Sequence, residues 1–265
     1  MPRTSGRHIH ILLGPHNPVR PGILHCHPSY VWGFWYLDPR GVHALSSLRA
    51  AEFHPDRIPQ DKAGWFFNGV SGYMLRKNVS KFAQKERAEA PLPRARAVVF
   101  LQEIERRNSR LYYLDSTEMV TAVAAASGAG PVYVKPHPRQ SPAVLQKMEA
   151  LAARLPNVSL RSNSIHDLIP ASDVVISQNS AAGFEALLHK KPVITCGPAD
   201  YHHATIVAQT ERDLAVAVAE APDRMAGFPF QKYVYWFLQE HMLETSKPEF
   251  TTRAWARCTA TLSQA

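Results

Sequence analysis

Lys135-Pro136-His137-Pro138-Arg139 has the residue types and spacing to hold an anion. In extended backbone alternate side chains share a face, so Lys135, His137 and Arg139 would present three nitrogen-bearing groups together. Pro136 and Pro138 fix φ and stiffen the run, which lowers the entropy lost on binding. A phosphate suits such a face; a solvated basic loop is the plain alternative. The run from Gln178 through Asn179, Ser180 and Gly183 to Glu185 carries complementary chemistry. Asn179 or Ser180 can cap a helix starting there, leaving first-turn amides free for an anion. Ala181, Ala182 and Gly183 are small enough for a ligand to approach the backbone, and Glu185, one turn in, can accept from a ribose or sugar hydroxyl. Capping and small-residue packing explain the same residues without a ligand.

Other groups are less defined. Gln102 and Glu103 follow an apolar run, where Glu103 could serve as a catalytic carboxylate and Arg106 and Arg107 could meet an anionic donor or acceptor. A solvated charged turn fits equally well. Tyr201, His202 and His203 could stack on a base or reach a sugar. Trp32, Phe34, Trp35 and Tyr36 could form an aromatic platform for a sugar acceptor, or simply fill a core or lobe interface. His8, His10, His16, His25, His27 and His43 show no metalloprotease-type spacing. Cys26, Cys196 and Cys258 are far apart, with no CxxC pair. Neither a metal site nor a disulfide framework is expected.

The elements that must position these residues are regular only after about residue 95. Short apolar runs read as strands at 97–102, 131–138, 157–160, 173–178 and 191–197. Helical text alternates with them at 116–126, capped by Asp115 or Ser116, at 142–154 with Pro142 in its first turn, at 164–172, at 179–190 and at 211–221. Such alternation predicts a parallel sheet covered on both faces. Ligands bind such sheets beyond the carboxyl ends of the strands. Gln102, Lys135 to Arg139, Gln178 to Ser180 and Gly197 to Tyr201 should therefore line one crevice. Before residue 93 the chain is rich in Pro, Gly, His and aromatics, and its elements are hard to read. A charged, proline-bearing stretch, KERAEAPLPRARA, reads as a linker, which divides the chain into lobes at 1–93 and 94–265.

The 265 residues are 45% hydrophobic and 20% charged, enough for a sizeable core. A formal charge of +8 favours anionic partners. The basic residues are scattered and match no nucleic-acid module, so nucleic acid is not an expected partner. No apolar run is long enough to span a bilayer, and the N-terminal apolar stretch is too short for a secretory signal, so a cytoplasmic protein is expected.

In order and spacing, LQ at a strand end, VYVKPHPR, DVVISQNSAAGFEALLHKKPVITCG and ADYHHAT resemble the capsule polysaccharide biosynthesis family, over roughly residues 97–240. Its best-understood members look like the β-Kdo transferases of capsule assembly. The resemblance implies an α/β fold of GT-B type, with a Rossmann-type parallel-sheet C-terminal lobe and here a short, reduced N-terminal lobe. It implies a glycosyltransferase of capsular or surface polysaccharide, making a hexosyl or Kdo-type transfer from CMP-Kdo or a similar acidic sugar. The nucleotide sugar would be a co-substrate, with no separate cofactor. The acceptor would be a glycan or glycolipid, met through peripheral contact with the inner membrane face. By the same resemblance His137 and Ser180 hold the donor phosphate with Lys135 nearby, and Glu185 contacts the ribose. No acidic Asp-Gly motif is present; the nearest acids are Asp38 and Glu103. A nucleotide-sugar epimerase of the same architecture, and a non-catalytic nucleotide-sugar or glycan binder, remain as alternatives.

Overall fold

The computed structural model describes residues 8–14, 19–105 and 111–263. His16, Arg106 and Arg107, named above, lie outside the described residues.

The chain opens with β1 (His10–Leu13), β2 (Ile23–Pro28) and β3 (Phe34–Asp38), followed by three single 3-10 turns and α1 (Gln60–Arg76). The second sheet then begins: β4 (Ala95–Phe100), α2 (Ser116–Ala126), β5 (Val132–Lys135), α3 (Pro142–Arg154), β6 (Val158–Leu160), α4 (Ile165–Ala171), β7 (Ser172–Ser177), α5 (Ala181–Leu188), β8 (Val193–Thr195) and the two-residue β9 (Ile206–Val207). After α6 (Glu211–Arg224), α7 (Phe230–Val234) runs into a π-helical segment, Tyr235–Glu240, then β10 (Leu243–Glu244) and α8 (Phe250–Ser263).

The sheet of β4 to β9 has strand order β6-β5-β4-β7-β8-β9, with every pairing parallel. This is the Rossmann order, reversing direction between β4 and β7, and the α/β class read from the sequence is the observed one. Its central strands are buried on both faces, which explains the unbroken apolar runs Ala97 to Leu101 and Val174 to Ile176. Local chemistry sets the helix starts. Asp115 caps α2 in a reciprocal box with Glu118, Pro142 occupies the first turn of α3, and Ser164 and Ser180 cap α4 and α5.

The first sheet, order β1-β2-β3-β10, is built from both ends of the chain. β10 pairs antiparallel with β3, and α8 packs on β2 and β3 around Leu24, Leu37 and Leu243. One continuous core joins this region to the Rossmann sheet, from Tyr30, Phe34 and Tyr36 through Phe66 and Phe67 to Phe184 and Phe237. The proposed aromatic platform is dismantled by that core. Phe34 and Tyr36 are buried, Trp35 packs beside Leu37, and Trp32 alone is exposed. Asp38 is also structural: its carboxylate accepts from the Arg40, Gly41 and Ser47 amides and from the Ser46 and Ser47 hydroxyls, closing the loop after β3.

Candidate functional site

A cleft of about 410 Å³ opens at the carboxyl ends of β4, β5 and β7, where the strand order reverses. One wall comes from the Rossmann lobe: Gln102 and Glu103 after β4, Lys135 to Arg139 after β5, and Asn179 to Ala182 with Glu185 after β7. The facing wall carries His27, Tyr30, His43 and the segment Ser80 to Phe82.

The His137 loop is braced from beneath. Glu103 Oε2 accepts from Gln140 Nε2 at 2.8 Å and from the Ser141 amide at 3.0 Å, while Gln140 Oε1 accepts from the His137 amide at 3.2 Å. The Arg139 amide donates to His137 Nδ1 at 3.1 Å. An accepting Nδ1 carries no proton, so the neutral ring holds its proton on Nε2. Burial, and then the Arg139 charge, push the His137 pKa down, which favours that neutral form. The Phe82 ring lies edge-on to His137 at 4.9 Å, and the Arg139 guanidinium sits over the Phe82 ring, 5.5 Å from its centre. Lys135 has spent two of its three donors, on the Ser162 and Asn163 carbonyls at 3.2 and 2.6 Å. It lines the cleft mainly as a charge, its pKa lowered by burial and by Lys85.

At the facing turn, Ser180 Oγ accepts from the Ala182 amide at 3.1 Å and keeps its own proton to donate. Gln102 and Asn179 exchange two hydrogen bonds, Gln102 Nε2 to Asn179 Oδ1 at 3.0 Å and the Asn179 amide to Gln102 Oε1 at 2.8 Å. Asn179 Nδ2 also reaches the Leu111 and Pro198 carbonyls, so this side chain ties loops together at the cleft edge. Glu185 forms the floor and is wholly buried. Its Oε1 accepts from Ser80 Oγ at 2.9 Å and its Oε2 has no hydrogen-bond partner among the described residues. Burial pushes its pKa up to about 8, against the smaller opposing pull of Ser80 and Lys81.

Gln178, Gly183, Tyr201, His202 and His203 stand away from this cleft. Gln178 is fully buried and donates to Glu105 and to the Leu114 carbonyl. Gly183 serves packing, since a Cβ there would lie 2.7 Å from both Ser177 Oγ and Tyr201 Oη. Tyr201 is fully buried and donates to the Ser180 carbonyl at 2.7 Å, so it steadies the turn and stacks on no ligand. His202 bonds the Ala199 carbonyl through Nδ1. Of the expected crevice, Gln102, Lys135 to Arg139, Asn179 and Ser180 line the cleft, Gln178 and the segment Gly197 to Tyr201 do not, and Glu103 and Glu185 join it. Sequence reasoning missed the opposite wall: Lys81 and Tyr30 are unmarked by any motif, and His27 and His43 drew attention only as possible metal ligands. Among the described residues no group of three or more His, Cys, Asp or Glu is placed to hold a metal ion, and no helix is long and apolar enough to cross a membrane.

Residues 116–235 match the model of the capsule polysaccharide biosynthesis protein family, within the stretch whose motifs resemble it. The resemblance read from the sequence holds over that stretch. No curated protein sequence matches the chain. Among solved structures, the β-Kdo 2,7 transferase of KpsC from Thermosulfurimonas dismutans is similar with a TM-score of 0.52 and 18% identity, covering 90% of this chain and 77% of that one. The β-Kdo 2,4 transferase of KpsC from the same organism gives 0.51 and 19%, covering 75% and 71%. A UDP-GlcNAc 2-epimerase from Methanocaldococcus jannaschii gives 0.41 and 12%, covering 62% and 42%. At these identities the two transferase structures speak for the fold, which is GT-B-like with a Rossmann-type lobe.

Proposed function

We propose that the chain is a glycosyltransferase of capsular or surface polysaccharide assembly that takes a sugar from a nucleotide donor, with CMP-Kdo or a similar acidic sugar as the donor of choice. The observation that carries this reading is the meeting of His137 and Ser180 on facing strand-end loops of one cleft at the sheet's switch point. His137, with its Nε2–H, the Ser180 hydroxyl and the start of α5 line the same cleft and would share a donor phosphate, and Arg139 and Lys135 add positive charge. Such an array stabilises a leaving phosphate by electrostatics already in place before the bond breaks. His137, neutral with its proton on Nε2, can hydrogen-bond that phosphate or pass it a proton.

The two carboxyls take different roles. Glu103 has the residue type and strand-end position of a catalytic carboxylate, yet its Oε2 is spent holding Gln140 and Ser141. We assign it the positioning of the His137 loop. Glu185, wholly buried and protonated at neutral pH, holds the Ser80 hydroxyl and so fixes the floor beneath a bound ribose or sugar. The acceptor, a glycan or glycolipid, would enter from the N-lobe side. The formal charge of +8 supports peripheral contact with the anionic inner face of a membrane.

Calorimetric titration of CMP, UDP and GDP against wild type and His137→Ala tests the reading. Tight CMP binding that the variant loses is expected. A preference for UDP would move the protein to another donor class, and no nucleotide binding would sink the proposal. CMP release that depends on a glycan acceptor separates a transferase from a binder.

A further inference from the structure

The wall facing the phosphate loops carries a charge that the phosphate reading leaves unused. Lys81 is half-buried in the cleft, with its Nζ 5.7 Å from the centre of the Tyr30 ring. Among the described residues no carboxylate lies within ion-pairing distance of it. The two acids whose fields reach it are engaged elsewhere: the buried Glu185 accepts from Ser80 Oγ, with burial opposing its charge, and Asp200 accepts from two tyrosine hydroxyls. Burying an ammonium without a counter-charge is costly unless a ligand supplies one.

Two imidazoles share this wall with the lysine, His43 lying 4.8 Å from the same Tyr30 ring, and burial, with the Lys81 charge adding to it, keeps both neutral. His43 sits edge-on to His27 at 5.0 Å, and its occluded Nδ1 has no hydrogen-bond partner among the described residues. Leaving that nitrogen unprotonated puts the proton on Nε2, a donor. His43 also has a left-handed backbone, φ 53°, which is costly outside glycine and is kept where the surrounding structure over-determines it. His27 is the opposite tautomer: its Nδ1 donates to the Pro28 carbonyl at 2.8 Å, so Nε2 is an acceptor. The wall therefore offers one cation, one neutral donor and one acceptor.

We infer that Lys81, with His43 and His27 beside it, forms a second anion subsite that takes the carboxylate of a sugar acid, borne by the donor or by the acceptor. This rests on the nucleotide-sugar reading of the opposite wall. Lys81 Nζ and His43 Nε2–H match the two oxygens of a carboxylate, and His27 Nε2 accepts from a neighbouring sugar hydroxyl. One ammonium balances the single negative charge of a carboxylate, and the donor phosphate is already served by the loops across the cleft. A donor with a neutral sugar would leave the second subsite empty of charge.

The test uses the full chain as wild type, Lys81→Met and His43→Gln, titrated calorimetrically with four probes. CMP alone reads the phosphate wall. CMP-N-acetylneuraminate, a stable nucleotide-linked sugar acid, reads the donor arm. The methyl glycoside of Kdo reads the acceptor arm, and UDP against UMP reads a second phosphate. Wild type should gain about tenfold or more from the sugar acid in one of the two arms, as expected for a charge-assisted hydrogen bond. Lys81→Met should lose that gain and His43→Gln should reduce it, while CMP affinity stays within about twofold. The inference is overturned if no arm gains, if the gain survives in Lys81→Met, or if the Lys81-dependent gain is that of UDP over UMP. If CMP fails to bind while the Kdo glycoside binds through Lys81, the nucleotide reading falls and the carboxylate subsite stands.

Discussion

Replacing Glu185 by Gln should flatten the protein's loss of stability in mild alkali. Glu185 is wholly buried, and burial lifts its pKa from 4.5 to about 8. Between these values the folded protein holds a proton that the unfolded chain has released. Stability therefore falls as pH rises through that window and levels off above the folded pKa. Over the whole span a shift of this size corresponds to about 5 kcal/mol at 1.36 kcal/mol per pKa unit. The part that falls between pH 7 and 9 is about 1.4 kcal/mol by the same linkage. Asp200, raised to about 7 by burial, gives a slope of the same sign, but nearly all of it lies below pH 7.

Glu185→Gln keeps an acceptor for Ser80 Oγ and removes the titration. Urea unfolding at pH 7, 8 and 9 should show wild type losing roughly 1.4 kcal/mol more than the variant across the range. The slope is the quantity to read. The absolute level shifts for a separate reason, because the amide places two donors where Oε2 has no partner. Parallel slopes for the two proteins would refute a protonated Glu185, and with it the role assigned to the floor of the cleft.

Gly183→Ala should lower the melting temperature by a loss of about 1–3 kcal/mol, since the new Cβ would meet Ser177 Oγ and Tyr201 Oη at 2.7 Å. CMP affinity should fall with it through displacement of the Ser180 cap, and a neutral Ala would contradict the packing role. Tyr36→Phe strips a 2.7 Å hydrogen bond from Asp200 and should cost about 1.5–3 kcal/mol in urea unfolding. The cost should be larger at pH 8 than at pH 6, because the carboxylate charges near pH 7 and the lost bond is then charge-assisted. Glu103→Ala should weaken CMP binding roughly tenfold, about 1.4 kcal/mol, by releasing Gln140 and the Ser141 amide. Unchanged CMP affinity in that variant would show that the His137 loop holds its shape without the brace.

The Rossmann lobe was legible because its signals are local. Asp115, Pro142, Ser164 and Ser180 mark helix starts through capping chemistry that needs no distant partner. The double-sided burial of β4 and β7 writes itself as unbroken apolar runs. What position along the chain could not reveal is the direction a strand-end side chain takes. Gln178, Asn179 and Ser180 are consecutive, yet the first points into the core and the other two line the cleft. Tyr201 likewise looked like a ligand contact and is consumed in holding the Ser180 carbonyl. The N-terminal region hid for a different reason. α1 contains Gly64, Gly69 and Gly72, which weaken its helical signal, and it is secured by packing Phe66 and Phe67 against distant parts of the chain. The first sheet is completed by β10, some two hundred residues downstream of β3, and no local pattern announces such a pairing.

The two walls of the cleft are joined by buried carboxyl groups, which ties the shape of the site to its dryness. Tyr30 and Tyr36 reach across to Asp200, and Ser80 reaches across to Glu185. Tyr30 also stacks on Phe184 at 5.2 Å, in the helix that begins with the Ser180 cap. Both acids sit within reach of neutral pH because burial opposes their charge. Separating the walls would hydrate them, ionise them and leave two tyrosines and a serine without their partners. A ligand that fills the cleft covers the floor above the already buried Glu185 and opposes its hydration, while the Asp200 tie lies deeper in the shared core. Donor binding should then stiffen the junction of the lobes, with the phosphate wall and the Lys81 wall already at their working separation. That geometry favours preformed recognition at both ends of a sugar nucleotide over recognition that waits for the lobes to close.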